Sequence, residues 1–300
     1  MSTKKIHYST CPACDSTDIR TVMQIADHSV SQENFDLWEC NACTLRFTQD
    51  VPDEDNIGPY YKSPDYISHS NTKTGIVNKL YHRVRNITLS QKQRLINTET
   101  GVSKGNLLDI GAGAGTFASF MRDGGWSVTA LEPDEQTRKN ALASYNIRLS
   151  PSNDLFTLAP ASFDAITMWH VLEHVHDLHG YLDKIHEILK ANGVFFVAVP
   201  NYTSRDAQQY KEHWAAYDMP IHLYHFSPAS MEQLLNKHGF RLKTIMPMWF
   251  DSFYVSMLSE KYKTGKQSLI KGFISGFLSN MEAYRDPKRC SSIIYIAEKA

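Results

Sequence analysis

The chain has 300 residues, of which 42% are hydrophobic, so it is long enough to bury a proper core in one large domain or two. Its 31 basic and 32 acidic side chains leave a net charge of −1, which argues against long-range attraction for a polyanion such as nucleic acid. The first residues lack the apolar core of a signal peptide, and no stretch approaches about 18 consecutive apolar residues. We therefore expect a cytoplasmic protein without a membrane span.

Four of the five cysteines form two C-x-x-C pairs, Cys11 with Cys14 and Cys40 with Cys43. Each such turn can direct two thiolates at one ion, so the two pairs predict a tetrahedral zinc site. A rubredoxin-like iron centre uses similar pairs and remains an alternative. A disulfide arrangement is disfavoured in a reducing compartment. Cys290 stands alone and is interpreted as a small apolar filler.

Residues 1–50 are expected to form a small zinc ribbon. Residues 19–25 and 35–39 alternate in the manner of strands, and residues 44–48 predict a third short strand after the second cysteine pair. So little apolar surface would not hold a fold alone, so we expect the metal to be structural.

Residues 51–104 are expected to link the ribbon to the rest of the chain and to end in a helix. Three prolines interrupt the first part, which nevertheless carries Tyr60, Tyr61 and Tyr66. Because a pure linker would not need three tyrosines, we expect this part to pack on the next domain or to cover its cleft. From about residue 75 to 99, apolar residues recur at helical spacing.

A glycine-rich turn follows the apolar run 107–110, with glycines at 111, 113 and 115. An apolar strand with such a turn at its carboxyl end is where open α/β sheets bind nucleotide-like ligands. The dinucleotide fingerprint G-x-G-x-x-G would require a glycine at position 116, which is Thr116. Asp109, two residues before the turn, is a poor neighbour for a pyrophosphate and a good one for a cationic ligand.

Four further landmarks follow in order. They are a strand at 127–131 that ends in Glu132-Pro133, an element that ends near 152–155, a strand and helix start over 162–175, and a strand at 194–200 after a glycine turn. Together with the G-x-G-x-G turn, these landmarks resemble the class I S-adenosylmethionine (AdoMet) methyltransferases over residues 107–201. The resemblance implies an α/β fold, with a Rossmann-like doubly wound sheet and an antiparallel last strand within residues 105–300.

The same resemblance implies which residues hold the cofactor. In the family the carboxylate after the second strand accepts hydrogen bonds from the ribose diol, a role that falls to Glu132, and an Asp or Asn with a neighbouring backbone amide holds adenine. The full set of expected AdoMet contacts is Asp109, Gly111, Ala112, Gly113, Gly115, Phe117, Glu132, Pro133, Asn153, Asp154, Leu155, Trp169 and His170.

Methyl transfer from a sulfonium to a hydroxyl needs an aligned acceptor and a group that removes its proton. His222 and His225 lie on a Pro-bounded loop after the fifth strand, in an H-L-x-H-F segment common in the family's small-molecule and sugar-modifying members. Either is a candidate base, and a loop-fixing role is the alternative. His170 is a third candidate, with a backbone contact near the methionine moiety as its first expected role. Glu173 and His174 alone are insufficient evidence for a metal site.

The C-terminal part is expected to complete the sheet around an insertion. A helix from 227 to 238, a sixth strand at 240–246 and an antiparallel last strand at 292–297 are predicted, with a helical insertion around 252–288. An apolar stripe on the insertion between Leu269 and Leu278 favours a core or oligomer contact over a membrane anchor. The oligomeric state stays open.

The sequence thus predicts an AdoMet-dependent methyltransferase that acts on a small molecule or a glycan precursor, possibly a nucleotide-linked sugar. An rRNA or tRNA base methyltransferase is the alternative within enzymes, since zinc modules also precede catalytic domains there, but the near-neutral charge disfavours nucleic acid. A dinucleotide-dependent oxidoreductase is weakened by Thr116 and Asp109. A non-catalytic AdoMet-binding partner protein would bind the cofactor but lack a base and an open acceptor pocket.

Overall fold

In a computed structural model, residues 4–62, 76–266 and 268–300 are described, with the backbone alone for 76–83. Tyr66, which we expected in the segment before the helix, lies outside the described residues. So do the side chains of Ile76 and Leu80, although the backbone there is helical.

The N-terminal part consists of short antiparallel strands. They are β1 (Lys5–Ile6), β2 (Ile19–Ala26), β3 (Asn34–Cys40), β4 (Arg46–Thr48) and β5 (Val51–Pro52). β1 pairs with β5, and β3 lies between β2 and β4. Phe35 and Leu37 are buried on one face of this sheet, and Phe47, which pairs with Trp38, is buried on the other, so both faces are covered.

Strands and helices alternate over the next part of the chain. They are α1 (Ile76–Thr100), β6 (Asn106–Ile110), α2 (Thr116–Asp123), β7 (Ser127–Leu131), α3 (Glu135–Tyr145), β8 (Phe163–Trp169), α4 (Leu178–Ile188) and β9 (Leu189–Pro200). β6 pairs in parallel with β7 and β8, and β8 pairs in parallel with β9. Leu107 and Leu108 are both fully buried although successive side chains point to opposite faces, as expected for a parallel strand covered on both sides.

The rest of the chain completes this sheet. Its elements are α5 (Arg205–Tyr210), β10 (Tyr224–His225), α6 (Pro228–Lys237), β11 (Phe240–Pro247), α7 (Asp251–Thr264), α8 (Leu269–Arg285) and β12 (Ser292–Lys299). β12 inserts antiparallel between β9 and β11, so the sheet order is β11–β12–β9–β8–β6–β7. The predicted α/β sheet with an antiparallel last strand is confirmed.

The element that the sequence predicts to end near residues 152–155 pairs with β7 at one position only. Ser152–Thr157 is a 3₁₀ turn, and pairing next to β7 is reduced to a single bridge between Leu131 and Ser150. Pro151 follows that bridge and has no N–H to donate, so a ladder cannot continue through it.

The ribbon sheet includes a strand from much later in the chain. β10 pairs with β4, with Tyr224 opposite Phe47 and His225 opposite Arg46. The ribbon sheet is therefore ordered β10–β4–β3–β2, and its edge strand comes from the predicted catalytic loop. The ribbon sheet therefore includes residues beyond the expected domain boundary at residue 50.

The helices α7 and α8, which follow β11 and precede β12 in the chain, pack against each other. Gly272 and Gly276 approach α7 so closely that an added Cβ would lie 2.7 Å from Met257 Cα and 2.8 Å from Phe253 Cα. The apolar stripe of α8 lies on the other side and is exposed, so the core interpretation of that stripe is wrong. The exposed residues are Leu269, Ile270, Phe273, Ile274, Phe277 and Leu278. Within the described ranges, no helix is both long and apolar enough to cross a membrane.

Candidate functional site

The glycine turn lies at the carboxyl end of β6, and its three glycines have no side chains to cover the backbone. Gly111, Gly113 and Gly115 have φ values of 72°, 53° and 74°, a region in which other residues are strained. A Cβ on Gly111 would lie 2.3 Å from Val171 Cγ2, whereas a Cβ on Gly113 would meet nothing within 4 Å. Gly111 is thus required by packing, and Gly113 leaves room for a ligand on the backbone.

Glu132 reaches from the end of β7 to this turn. Its Oε2 accepts a hydrogen bond from the Gly113 N–H at 2.9 Å, and its Oε1 accepts one from the Asp134 N–H at 3.1 Å. Burial raises the pKa of this carboxyl, which is 8% exposed. A carboxylate held beside a bare glycine backbone can accept hydrogen bonds from a diol placed over the turn.

The Asp109 side chain is held by a hydrogen bond from a neighbouring strand of the sheet, and not by the glycine turn. Its Oδ1 accepts a hydrogen bond from the Thr167 hydroxyl at 2.8 Å, and the side chain is buried. Burial raises the pKa of Asp109 to about 7, although the Thr167 hydrogen bond and the charge of Lys92 lower it. The carboxyl is therefore a buried partner of the neighbouring strand, just behind the turn.

Lys92 on α1 is a site residue that the sequence analysis missed. Its Nζ lies 3.9 Å from the centroid of the Trp169 ring and 5.7 Å from that of Phe117. Burial lowers the pKa of Lys92 to about 8, against the opposing charges of Asp251 and Asp109. The helical spacing of the sequence could have indicated this position. Lys92 lies three residues after Leu89 and four before Ile96, which are both buried, so it lies on the inward face of the helix.

The other expected cofactor residues occupy nearby loops. Pro133 is exposed directly after Glu132, and Ala112 is half-buried in the turn. Asn153 is exposed on the 3₁₀ turn, Asp154 is half-buried, and Leu155 is fully buried. The side chain of Leu155 therefore packs inward.

His170 follows β8 and is held in an unusual conformation. Its φ is 58°, its Nε2 lies 2.8 Å from Asp251 Oδ2, and its Nδ1 lies 3.4 Å from Glu173 Oε1. Burial would lower the pKa of His170, but Asp251 and Glu173 together raise it to about 10. The side chain keeps 34% of its surface exposed. Asp251 is 81 residues away in sequence, so no local pattern indicated this pair.

His222 and His225 are both buried. His222 Nδ1 donates to the Ala216 carbonyl at 2.9 Å, and the ring packs edge-on against His174 with centroids 4.5 Å apart. His225 Nε2 lies 3.3 Å from Thr48 Oγ1, and its ring packs against Tyr217. Burial lowers the pKa of both histidines, so they are neutral at pH 7.

From their positions after the fourth and fifth strands, the sequence predicts that Trp169, Trp214, Tyr210 and Tyr217 cluster around the acceptor cleft, but most of them lie in the core. Trp214, Tyr210 and Tyr217 are each at most 2% exposed and belong to one cluster between the ribbon and α7. Trp169, which is half-buried, is the member of the expected group that stands beside Lys92 and the glycine turn.

The four N-terminal cysteines converge as predicted. Cys11 Sγ lies 3.6 Å from Cys43 Sγ, Cys14 Sγ lies 3.6 Å from Cys40 Sγ, and all four sulfurs lie within 4.8 Å of one another. Tetrahedral zinc with Zn–S bonds of about 2.3 Å places its sulfurs about 3.8 Å apart, so this donor set fits one zinc ion. The cysteines are free thiols, at distances far beyond the roughly 2.05 Å of a disulfide.

Comparison with known proteins gives a consistent result. Residues 81–245 match the model of a methyltransferase domain family. A ubiquinone biosynthesis O-methyltransferase of Xylella fastidiosa is 32% identical over 115 residues, which are 36% of this chain and 47% of the relative. A probable S-adenosylmethionine-dependent methyltransferase of Mycolicibacterium smegmatis is 27% identical over 144 residues, 46% of this chain and 52% of the relative. The chain thus spans about half the length of these curated relatives.

Among solved structures, a geranyl diphosphate C-methyltransferase from Streptomyces coelicolor has a TM-score of 0.51 and 15% identity, covering 77% of this chain and 88% of its own. At that identity the likeness concerns the fold alone. The matched family model covers more than half of the 300 residues, and the sheet order agrees with it. The chain therefore belongs to the methyltransferase domain family and has the fold of the class I S-adenosylmethionine-dependent methyltransferases.

Proposed function

We propose that this chain transfers a methyl group from AdoMet to a small molecule or a glycan precursor, such as a nucleotide-linked sugar. The observation that carries the proposal is the contact between Glu132 and the Gly113 N–H beside an open glycine backbone. A ribose bound over Gly113 would place its two hydroxyls against this carboxylate. Lys92 would then hold the methionine carboxylate of AdoMet, because its half-buried side chain places an ammonium beside the rings of Trp169 and Phe117.

On the acceptor side, we propose that His170 faces the reacting oxygen. It is the most exposed of the three candidate histidines, and it directly follows Trp169. Its pKa is about 10, so the ring is protonated at pH 7. A bound sulfonium would lower that pKa, because a like charge a few ångströms away disfavours the imidazolium. Once the imidazolium has released its proton to water, the neutral ring of His170 would accept the acceptor's proton during methyl transfer. His222 and His225 would shape the loop.

The cysteine cluster would hold one structural zinc ion. Its thiolates leave no position open for a substrate when all four bind, so the ion would supply no chemistry to the reaction and would fix the ribbon. Free thiols at these positions are those of a reducing compartment, and a cytoplasmic location stays a prediction on that ground.

Titration of the purified protein with S-adenosylhomocysteine (AdoHcy), the demethylated product, tests the proposal first. We expect binding in the micromolar range, about −8 kcal/mol, with no competition from NAD. Transfer of an isotope-labelled methyl group is then measured on a panel of hydroxylated small molecules and sugar nucleotides, with bulk RNA as the competing acceptor. Labelled RNA with no labelled small molecule would replace this proposal by the nucleic-acid alternative. Tight NAD binding without AdoHcy binding would reject both.

A further inference from the structure

A buried cluster of Glu173, His174 and His222 lies between the proposed acceptor side and the histidine loop. Its members come from the 3₁₀ turn after β8 and from the segment before β10, so only the fold brings them together. One donor atom of each side chain lies within 4.8 Å of the others.

The Glu173 carboxylate has an ion pair but no hydrogen bond. Its side chain is 0% exposed, and neither carboxylate oxygen has a hydrogen bond. The one ion pair of Glu173 among the described residues is with His170, whose Nδ1 lies 3.4 Å from Oε1, outside hydrogen-bond geometry. Buried carboxylate oxygens in proteins normally also accept hydrogen bonds or bind a metal, so the lone pairs of Glu173 are available to a further ligand.

Both histidines have a backbone carbonyl within hydrogen-bond distance of Nδ1. His174 Nδ1 lies 2.9 Å from the Ile221 carbonyl, and His222 Nδ1 lies 2.9 Å from the Ala216 carbonyl. A carbonyl oxygen only accepts hydrogen bonds, so each Nδ1 carries the proton and each neutral ring keeps its lone pair on Nε2. Metal-bound histidines are typically fixed in this way, with the second ring nitrogen donating to a backbone carbonyl.

From this arrangement, we propose that Glu173, His174 and His222 bind a divalent transition-metal cation, a site separate from the four cysteines. Two imidazoles and one carboxylate suit Zn²⁺ or Fe²⁺ and leave coordination positions open. Donors of a tetrahedral zinc site with bonds of about 2.1 Å stand about 3.4 Å apart, so the three donors, which lie within 4.8 Å of one another, would move closer together on binding the ion. The cation would neutralise the charge of Glu173, whose carboxylate also contacts His170.

Metal content measured with Zn²⁺ as the probe tests the proposal. After equilibration with Zn²⁺ and removal of the excess, the wild type should hold two equivalents, one in each site. Glu173→Gln and His222→Ala should each hold one, and Cys14→Ser should lose the other. His186→Gln is the matched control, because His186 lies on α4 away from the cluster and should retain both ions. A wild type that binds only the ribbon equivalent, or a second equivalent that survives in both cluster variants, would overturn the proposal.

Two further measurements do not depend on activity. Added Zn²⁺ should raise the Tm of the wild type with its ribbon already loaded, and should leave the Tm of Glu173→Gln unchanged. If the variants do not fold, a wild-type crystal grown with Zn²⁺ decides: an anomalous-difference peak should lie about 2.0–2.2 Å from the donor atoms of all three residues. A crystal with a peak at the cysteines and none here would refute the site. AdoHcy binding is independent of each outcome, so failure here leaves the proposed methyltransferase intact.

Discussion

The Thr48 hydroxyl donates a hydrogen bond to the His222 carbonyl at 2.6 Å and also lies 3.3 Å from His225 Nε2. Thr48 belongs to the ribbon strand β4, whereas both histidines belong to the loop that the sequence nominated for catalysis. The Thr48 N–H also donates to the Leu223 carbonyl at 2.9 Å. The ribbon strand β4 therefore packs against that loop and is hydrogen-bonded to it.

Because the ribbon contacts this loop, loss of the zinc ion should affect the loop as well as the ribbon. Cys14→Ser should release one equivalent of zinc and loosen the ribbon strands, because little apolar surface holds them without the metal. Since β10 pairs with β4, turnover should fall with the ribbon, while AdoHcy affinity should hold because Gly113 and Glu132 lie outside it. Elemental analysis, calorimetry and methyl-transfer rate measure the three quantities.

Cys290→Ser serves as the control for that variant, because Cys290 is a free buried cysteine outside the cluster. It should keep its zinc and its turnover. Unchanged turnover in a zinc-free Cys14→Ser protein would show that the ribbon does not support the loop.

Replacing Glu132 tests the ribose contact. Glu132→Ala should weaken AdoHcy binding by about 1.5–3 kcal/mol, the range for hydrogen bonds to a charged group. Glu135→Gln, which removes an exposed carboxylate three residues along, should leave the affinity as it was. Calorimetry gives both values. Equal affinities for Glu132→Ala and the wild type would mean that the ribose lies elsewhere.

The sequence predicted the sheet because the buried parallel strands leave strong local signals. The glycine turn, Glu132 and the cysteine pairs are likewise written in short motifs, whose residues the fold only has to bring into place. Lys92 and Asp251 were missed because their roles arise from tertiary contacts: Lys92 with Trp169, and Asp251 with His170 at a separation of 81 residues. The burial of His225 also depends on pairing with the ribbon, which periodicity in one segment cannot reveal.

Lys92 should make AdoHcy binding depend on pH. The pKa of Lys92 is about 8 in the ligand-free protein, so its ammonium is present below that pH and is lost above it. If the ammonium holds the methionine carboxylate, affinity should fall as pH rises through about 8, and Lys92→Met should bind more weakly with a flatter profile. Calorimetry from about pH 6.5 to about pH 9.5 covers the transition.

Lys139→Met controls for loss of a lysine, since Lys139 pairs with Glu135 on an exposed face. Its profile should follow the wild type. Were Lys92→Met to keep the wild-type profile, the titration would belong to another group, such as the amino group of the ligand.

The three candidate histidines can be separated by kinetics. His170→Ala should lower kcat by a factor of about 10² to 10⁴ with little change in AdoHcy affinity, the loss typical of a group that moves the acceptor's proton. His225→Ala should act chiefly through folding, because it empties a buried space beside Thr48 and Tyr217, and a lower Tm should accompany any lower rate. Single-turnover rates, Tm and AdoHcy calorimetry on the two variants distinguish these cases. If His225→Ala loses the rate at an unchanged Tm while His170→Ala retains it, the proton acceptor lies on the histidine loop and our assignment of His170 is wrong.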